Sequence, residues 1–148
     1  MNGLAPIHVE IPGEGYHRSL ISCQVACPVH TDARGYVRAV AAGRFEDAYR
    51  ILLQTNPFPS VCGRVCDHKC QSKCRRGNMD EALAIKFLKR FITDNAPRPK
   101  TEAVPVTRKE QIGVIGAGPA GLTAARDLAL RGYKVTVLEE LKYVLQIR

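Results

Sequence analysis

Four cysteines stand at strict four-residue steps in SVCGRVCDHKCQSKCRR: Cys62, Cys66, Cys70 and Cys74. Two more, Cys23 and Cys27, lie upstream in CQVACP, and the chain has six in all. Thiols grouped in this way serve as disulfides, as a metal site, or as small buried residues on a helix. On one straight helix each step climbs about 6 Å, so the outer pair would stand about 18 Å apart. One cluster cannot be gripped across that distance. The run must bend, as Gly63 and Gly77 allow nearby, and at least one ligand should come from the Cys23/Cys27 segment. Cys27 precedes Pro28, and a cysteine followed by proline commonly ends an iron–sulfur motif. Zinc is the rival metal, because its structural sites also favour closely spaced cysteines, and His17, His30 and His68 are at hand. Burial as inert thiols explains Cys23 or Cys62 singly, not the set.

A second pattern lies near the C-terminus. Gly116, Gly118 and Gly121 spell G-x-G-x-x-G between the apolar run QIGVIG and the helical pattern LTAARDLALRG. The first glycine makes the tight turn, the second lets backbone approach a pyrophosphate, and the third lets helix pack on strand. Pro119 and Ala120 complete the turn. Helix-terminal N–H groups then face the phosphates. Glu139, at the end of the next strand YKVTVLEE, is placed to accept from a ribose hydroxyl, with Glu140 as the alternative. This context of a redox-type dinucleotide fold favours iron–sulfur over zinc at the cysteines.

Helices must position the thiols. Thr31 and Asp32 can cap a helix running to about Ala42, stopped by Gly43, with Val37, Val40 and Ala41 at helical spacing. A second helix, about Phe45 to Gln54, carries Phe45, Ala48, Tyr49 and Leu52 on one face, and the prolines of TNPFPS end it. After the cysteines, Asp80 reads as the N-cap of EALAIKFLKRFITD. Its expected core stripe is Leu83, Phe87, Leu88, Phe91 and Ile92, with Lys86, Lys89 and Arg90 outward. The expected organisation is an arm over 1–20, a helical iron–sulfur domain over 21–95, a proline-bearing linker over 96–109 and a first βαβ unit over 110–148. The fold class is mainly α, followed by a partial Rossmann unit. Only LKYVLQIR follows Glu140, so the chain reads as truncated or as a reduced relative whose sheet a partner completes.

Composition sets the outer bounds. Apolar residues make up 45% and charged residues 24%, as in ordinary globular chains. No run approaches twenty apolar residues, so no membrane span is expected. The N-terminus lacks the basic and apolar regions of a secretory signal, which points to the cytoplasm, where thiols stay reduced and disulfides are disfavoured. The net charge is +8, and residues 62–109 hold twelve Lys/Arg against five Asp/Glu. Such a block suits an anionic partner or is a plain solvated surface. Lys69, Lys73, Arg75 and Arg76 could offset a negative [4Fe–4S] cluster and tune its potential.

In this order CQVACPVHTD, TNPFPSVCGRVCDHKCQSKC, EALAIKFLKRF and IGVIGAGPAGLTAARDLALRGYKVTVLE resemble the N-terminal part of the glutamate synthase small (beta) subunit and its relatives. Those relatives include the N-terminal region of dihydropyrimidine dehydrogenase and the large subunit of ferredoxin:NADP transhydrogenases. The resemblance covers about residues 20–140. It implies a helical iron–sulfur domain exchanging electrons with an FAD/NADPH module in a longer, NAD(P)H-dependent oxidoreductase. By the same resemblance Cys27, Cys66 and Cys70 match ligands of one cluster, Cys23 and Cys74 match positions serving a second, and the glycine turn with Glu139 matches the FAD site. Three departures matter. GYHRSLIS lacks the C-x2-C pair that completes the family's second cluster, and Lys89 aligns where the first commonly takes a Gln or Glu; Cys62 is additional. One [4Fe–4S] cluster with four cysteine ligands is therefore expected rather than two, the fourth being Cys62, Cys74 or Cys23. FAD is expected only in the full-length parent, and no residue of this chain is expected to be catalytic. The partner is another redox subunit or the remaining flavoprotein, not a membrane or nucleic acid. A zinc-binding interaction module, with the basic cysteine segment on nucleic acid, is the alternative.

Overall fold

The computed structural model describes residues 13, 16, 20–140 and 145–147. The helical half begins with the single turn α1 (Ser22–Val25). Asp32 then caps α2 (Ala33–Ala41), its carboxylate accepting the Gly35 N–H at 2.9 Å. Gly43 stops that helix in the left-handed region, at φ +72°. α3 (Phe45–Thr55) opens with Glu46 and Asp47 in its first turn, where the helix dipole favours them. Pro59 starts α4 (Pro59–Val65), and the one-turn α5 (Lys69–Ser72) and a 3-10 turn (Arg75–Asn78) lead to α6 (Ile85–Asn95).

One apolar core joins α2, α3 and α6. Ala33, Tyr36 and Ala39 meet Ala48, Tyr49 and Leu52, with Ile85 and Ile92 closing the third side. The buried face of α2 thus differs from the expected Val37, Val40 and Ala41 stripe; Val37 and Val40 are only partly buried. Tyr36 displaces them because its hydroxyl finds an acceptor inside, donating to the Ile85 carbonyl at 3.0 Å. Phe45 is likewise at the edge, packed edge-to-face on Phe91 with ring centroids 5.4 Å apart.

α6 departs furthest from the sequence reading. Asp80 is not its N-cap: that carboxylate is taken by Arg76, 2.6 Å away, and by the Glu81 N–H at 2.7 Å. The helix starts five residues later, and the Gln71 side chain reaches across from α5 to accept the Lys86 N–H at 3.0 Å. With that start, Ile85, Lys89 and Ile92 form the inward stripe. Phe87 and Phe91 remain exposed, and Lys89, expected outward, is buried. α4 lies close against α6 through Gly63, and Arg64 pairs with Asp94 across the same interface at 2.6 Å.

The second core belongs to the βαβ unit. β1 (Gln111–Ile115) and β2 (Lys134–Leu138) are parallel, with Gln111 opposite Lys134 and Ile115 opposite Leu138. α7 (Pro119–Leu130) crosses between them and buries Ala125 against Val135 and Val137. β3 (Leu145–Ile147), which the sequence reading did not anticipate, adds antiparallel to β2. Residues 96–110 carry no helix or strand, and the Thr107 and Arg108 N–H groups both donate to the Gly132 carbonyl at 3.0 Å. Arg126 of α7 donates to the Leu53 carbonyl of α3 at 2.9 Å, tying the two halves. Among the described residues no helix is long and apolar enough to cross a membrane.

The α4–α6 contact leaves no room for a side chain. A Cβ at Gly63 would sit 3.1 Å from the Arg90 Cα and 3.2 Å from its nitrogen, both backbone atoms that cannot swing away. Gly63→Val should therefore destabilise the helical half by about 1–3 kcal/mol. Urea unfolding followed by helical circular dichroism measures this, and an unchanged midpoint would refute the close packing.

Candidate metal centre and dinucleotide turn

The regular cysteine run is not one helix. Cys62 lies in α4, Cys66 just after it, Cys70 in α5 and Cys74 just before the 3-10 turn. The break falls at His68, whose backbone is left-handed at φ +50°, rather than at Gly63, which is locked inside α4, or Gly77. His30, three residues beyond Cys27, is also left-handed, at φ +47°. Both histidines therefore turn the chain between or beside thiols. His17 lies outside the described residues.

Folding this ladder sorts the thiols into groups. The turn α1, just before Cys27, packs on α5, which carries Cys70, and Cys70 is electrostatically coupled to Cys27 and Cys66. Burial pushes the Cys70 thiol up, Lys89 opposes that rise, and the two neighbouring thiols add to it. Cys23 is pushed up by burial, with further contributions from Cys74 and Asp32. Tyr36 stands between the groups; burial first, then Cys70, Cys27, Cys23 and Cys66, holds its hydroxyl protonated far above the usual phenol range. Cys62 has its own partner, its Sγ donating to Asn56 Oδ1 at 3.7 Å, and Cys27 Sγ donates to Thr31 Oγ1 at 3.7 Å. All six are half-buried free thiols. Among the described residues no three His, Cys, Asp or Glu side chains close on a single ion. In an iron–sulfur cubane each thiolate binds a different iron, so its ligands surround the group without converging on one point.

The surroundings suit an anionic, acceptor-rich group. Lys89 is 6% exposed beside Cys70. Asn56 is 2% exposed; its Oδ1 accepts the Phe58 N–H at 3.0 Å, which fixes the amide, and its Nδ2 has no acceptor among the described residues. Such an orphaned donor is costly unless something accepts from it. Cys23 and Cys74 line a cavity of about 870 Å³ together with Arg34, Arg38, Lys73 and Arg75. The basic residues expected near the thiols divide accordingly. Lys73, Arg75 and Arg76 border that cavity, while Lys69 pairs with Asp67 at 3.6 Å.

Tyr36, Asn56 and Lys89 were not singled out as inward-facing from the sequence. Spacing carries a signal for two of them: Lys89 falls four residues after Ile85 and three before Ile92, and Tyr36 falls three after Ala33 and three before Ala39.

The glycine turn is built as its spacing requires. Gly116 adopts φ +94°, which only glycine takes readily. A Cβ on Gly121 would run into the Gly116 carbonyl oxygen and touch Val114. Gly118 meets no atom within 4 Å, so packing in this chain gives no reason for its lack of a side chain. It ends in the N-cap of α7 with Pro119 and Ala120 opening the helix, and no side chain caps the free amides there. Glu139 Oε2 accepts the Ala117 N–H at 2.6 Å, setting its carboxylate against the turn. Glu140, the alternative acid, is exposed.

Comparison with known proteins agrees with both halves. Residues 19–101 match the family described as dihydropyrimidine dehydrogenase domain II, 4Fe-4S cluster. Residues 114–144 match the NAD(P)-binding Rossmann-like domain. The beta subunit of the NADP(+)-dependent formate dehydrogenase of Moorella thermoacetica is 41% identical, over 80% of this chain and 20% of its own length. The NADPH-Fe(3+) oxidoreductase subunit beta of Geobacter sulfurreducens is also 41% identical, over 80% of this chain and 18% of its own. The glutamate synthase [NADPH] small chain of Azospirillum brasilense is 37% identical, over 79% and 26%. The chain thus spans about a quarter or less of these relatives.

Gly121 and Gly118 should respond differently to a methyl group. Gly121→Ala should destabilise the βαβ unit by about 1–3 kcal/mol through overlap with the Gly116 carbonyl, whereas Gly118→Ala should stay within about 0.5 kcal/mol. Thermal unfolding of the two variants tests the contrast; equal effects would contradict it.

Proposed function

Because this chain belongs to the family of 4Fe-4S cluster domains typified by dihydropyrimidine dehydrogenase domain II, we propose that Cys27, Cys66 and Cys70 hold a single [4Fe–4S] cluster. The fourth ligand is one of Cys23, Cys62 and Cys74. The observation that supports the assignment is the packing of α1, just before Cys27, on α5, which carries Cys70, with Cys70 coupled electrostatically to Cys27 and Cys66. That arrangement satisfies the reach limit that a straight run of cysteines fails. The cluster, when bound, supplies one-electron transfer. This chain's own residues supply soft ligands, burial and a neighbouring cation.

The functional division we propose is a helical cluster domain over 21–95, a linker over 96–109 and the opening of a flavin- or nucleotide-binding domain over 110–148. Gly116, Gly118, Pro119, Ala120 and Gly121 would lie against a pyrophosphate, with Glu139 accepting from a ribose hydroxyl. Gly118, bare for no reason of packing, supports that reading. In the parent enzyme the cofactor would be FAD, and electrons would pass between NAD(P)H, flavin, this cluster and a redox partner in the cytoplasm. Relatives named as oxidoreductase subunits support a redox subunit, rather than nucleic acid, as that partner.

Serine replaces thiolate poorly on iron. Serine at Cys27, Cys66 or Cys70 should each remove most of the broad visible absorbance of the anaerobically purified chain. Among Cys23, Cys62 and Cys74, one variant should be severe and two mild. A mild loss at Cys66 would overturn the assignment, and zinc retained in place of iron would favour the zinc module.

A further inference from the structure

Lys89 is the one charged residue buried among those described, at 6% exposure. It enters the core from the middle of α6, between Ile85 and Ile92 on the same stripe. A lysine can bury its stem and keep its head in water, but so small a residual exposure leaves little of the side chain outside. Taking an ammonium out of water costs several kcal/mol unless an anion comes with it. Among the described residues no carboxylate does so. Asp94 is occupied by Arg64 and Arg90, and Asp80 by Arg76. What lies beside Lys89 is the Cys70 segment: Gln71, the residue after Cys70, accepts the Lys86 N–H at 3.0 Å three residues earlier on the same helix, and the Lys89 charge acts on Cys70. A buried cation therefore stands beside a cysteine that would be anionic as a metal ligand.

We infer that Lys89 is the built-in counter-ion of the cluster, a fixed positive charge that stabilises its reduced form and raises its reduction potential. The inference rests on the proposed ligand set and adds to it the group that tunes it. On reduction the cluster gains one electron and one unit of negative charge and takes up no proton, so a fixed neighbouring cation favours the reduced form directly. The same charge is a liability without the cluster, because among the described residues no carboxylate compensates the ammonium. Lys89 is thus a positioning residue for electron density and not a ligand.

The test compares wild type, Lys89→Met and Lys89→Arg in the full 148-residue chain, reconstituted anaerobically and titrated with dithionite under EPR. Lys89→Met should keep its iron and shift the oxidised-to-reduced ratio at a fixed poise by tenfold or more, which is about 59 mV lower for one electron. Lys89→Arg should stay within about threefold of wild type, since it keeps the charge. After chelation the order of stability should invert, with apo Lys89→Met more resistant to urea than apo wild type. An unchanged ratio in iron-replete Lys89→Met would overturn the inference, as would an equal drop in Lys89→Arg. If Lys89→Met loses iron, retention by Lys89→Arg still supports the charge role, and loss by both refutes it in favour of side-chain shape. A wild-type chain without iron, or one whose Cys66→Ser variant keeps its cluster, would instead refute the ligand assignment beneath it.

Discussion

Cysteines set every four residues on a continuous helix climb about 6 Å per step and spread beyond the reach of one small inorganic group. The helical half is organised by how the chain escapes that ladder. It leaves the helix after Val65, passes His68 in a left-handed conformation, and restarts for only one turn at Lys69–Ser72. The short α5 is therefore a consequence of bringing Cys66 and Cys70 toward Cys27. A left-handed non-glycine residue costs about 1–2 kcal/mol, so surrounding packing must hold this turn. That packing comes from α6, whose Lys86 amide is met by Gln71 from within the cysteine segment.

The core around the thiols is unusual in what it takes out of water. Tyr36 is fully buried with its hydroxyl spent on the Ile85 carbonyl, and thus bridges α2 to the start of α6. Thr31, buried at 2%, accepts from Cys27 and from Thr55 across to α3. These contacts fix the Cys27 segment to the same helices that fix Cys70. Against that satisfied background, and among the described residues, stand a cation without a paired carboxylate, Lys89, and a donor without an acceptor, the Asn56 Nδ2. Both are the kind of group that a thiolate-bound iron–sulfur cluster can satisfy. The surface pairs matter less: Arg64 with Asp94 and Arg76 with Asp80 lie at the surface, where solvent screens them.

Much of this was legible in the sequence where the determinants are local. The glycine turn, its flanking strands and Glu139 follow from short-range spacing, and the reach argument already required two cysteine segments. What the sequence left open depends on contacts between helices. In EALAIKFLKRFITD, five apolar residues offered a wide stripe that placed Lys89 outside. The structure instead seats Ile85 and Ile92, leaving Phe87 and Phe91 exposed, because α4 approaches through Gly63 and α2 through Tyr36. Asp80 resembles a cap because that amphipathic run begins at the very next residue. Arg76, four residues earlier, captures it, and the true partner of the helix start is fifteen residues upstream of Lys86.

The proposed role requires that this fold gather its thiols around one iron–sulfur cluster. The most direct measurement is the content of iron, acid-labile sulfide and zinc in the anaerobically purified 148-residue chain. One cubane predicts about four irons and about four sulfides per chain, with little zinc. Zinc as the bound metal, iron without sulfide, or about eight irons per chain would contradict it.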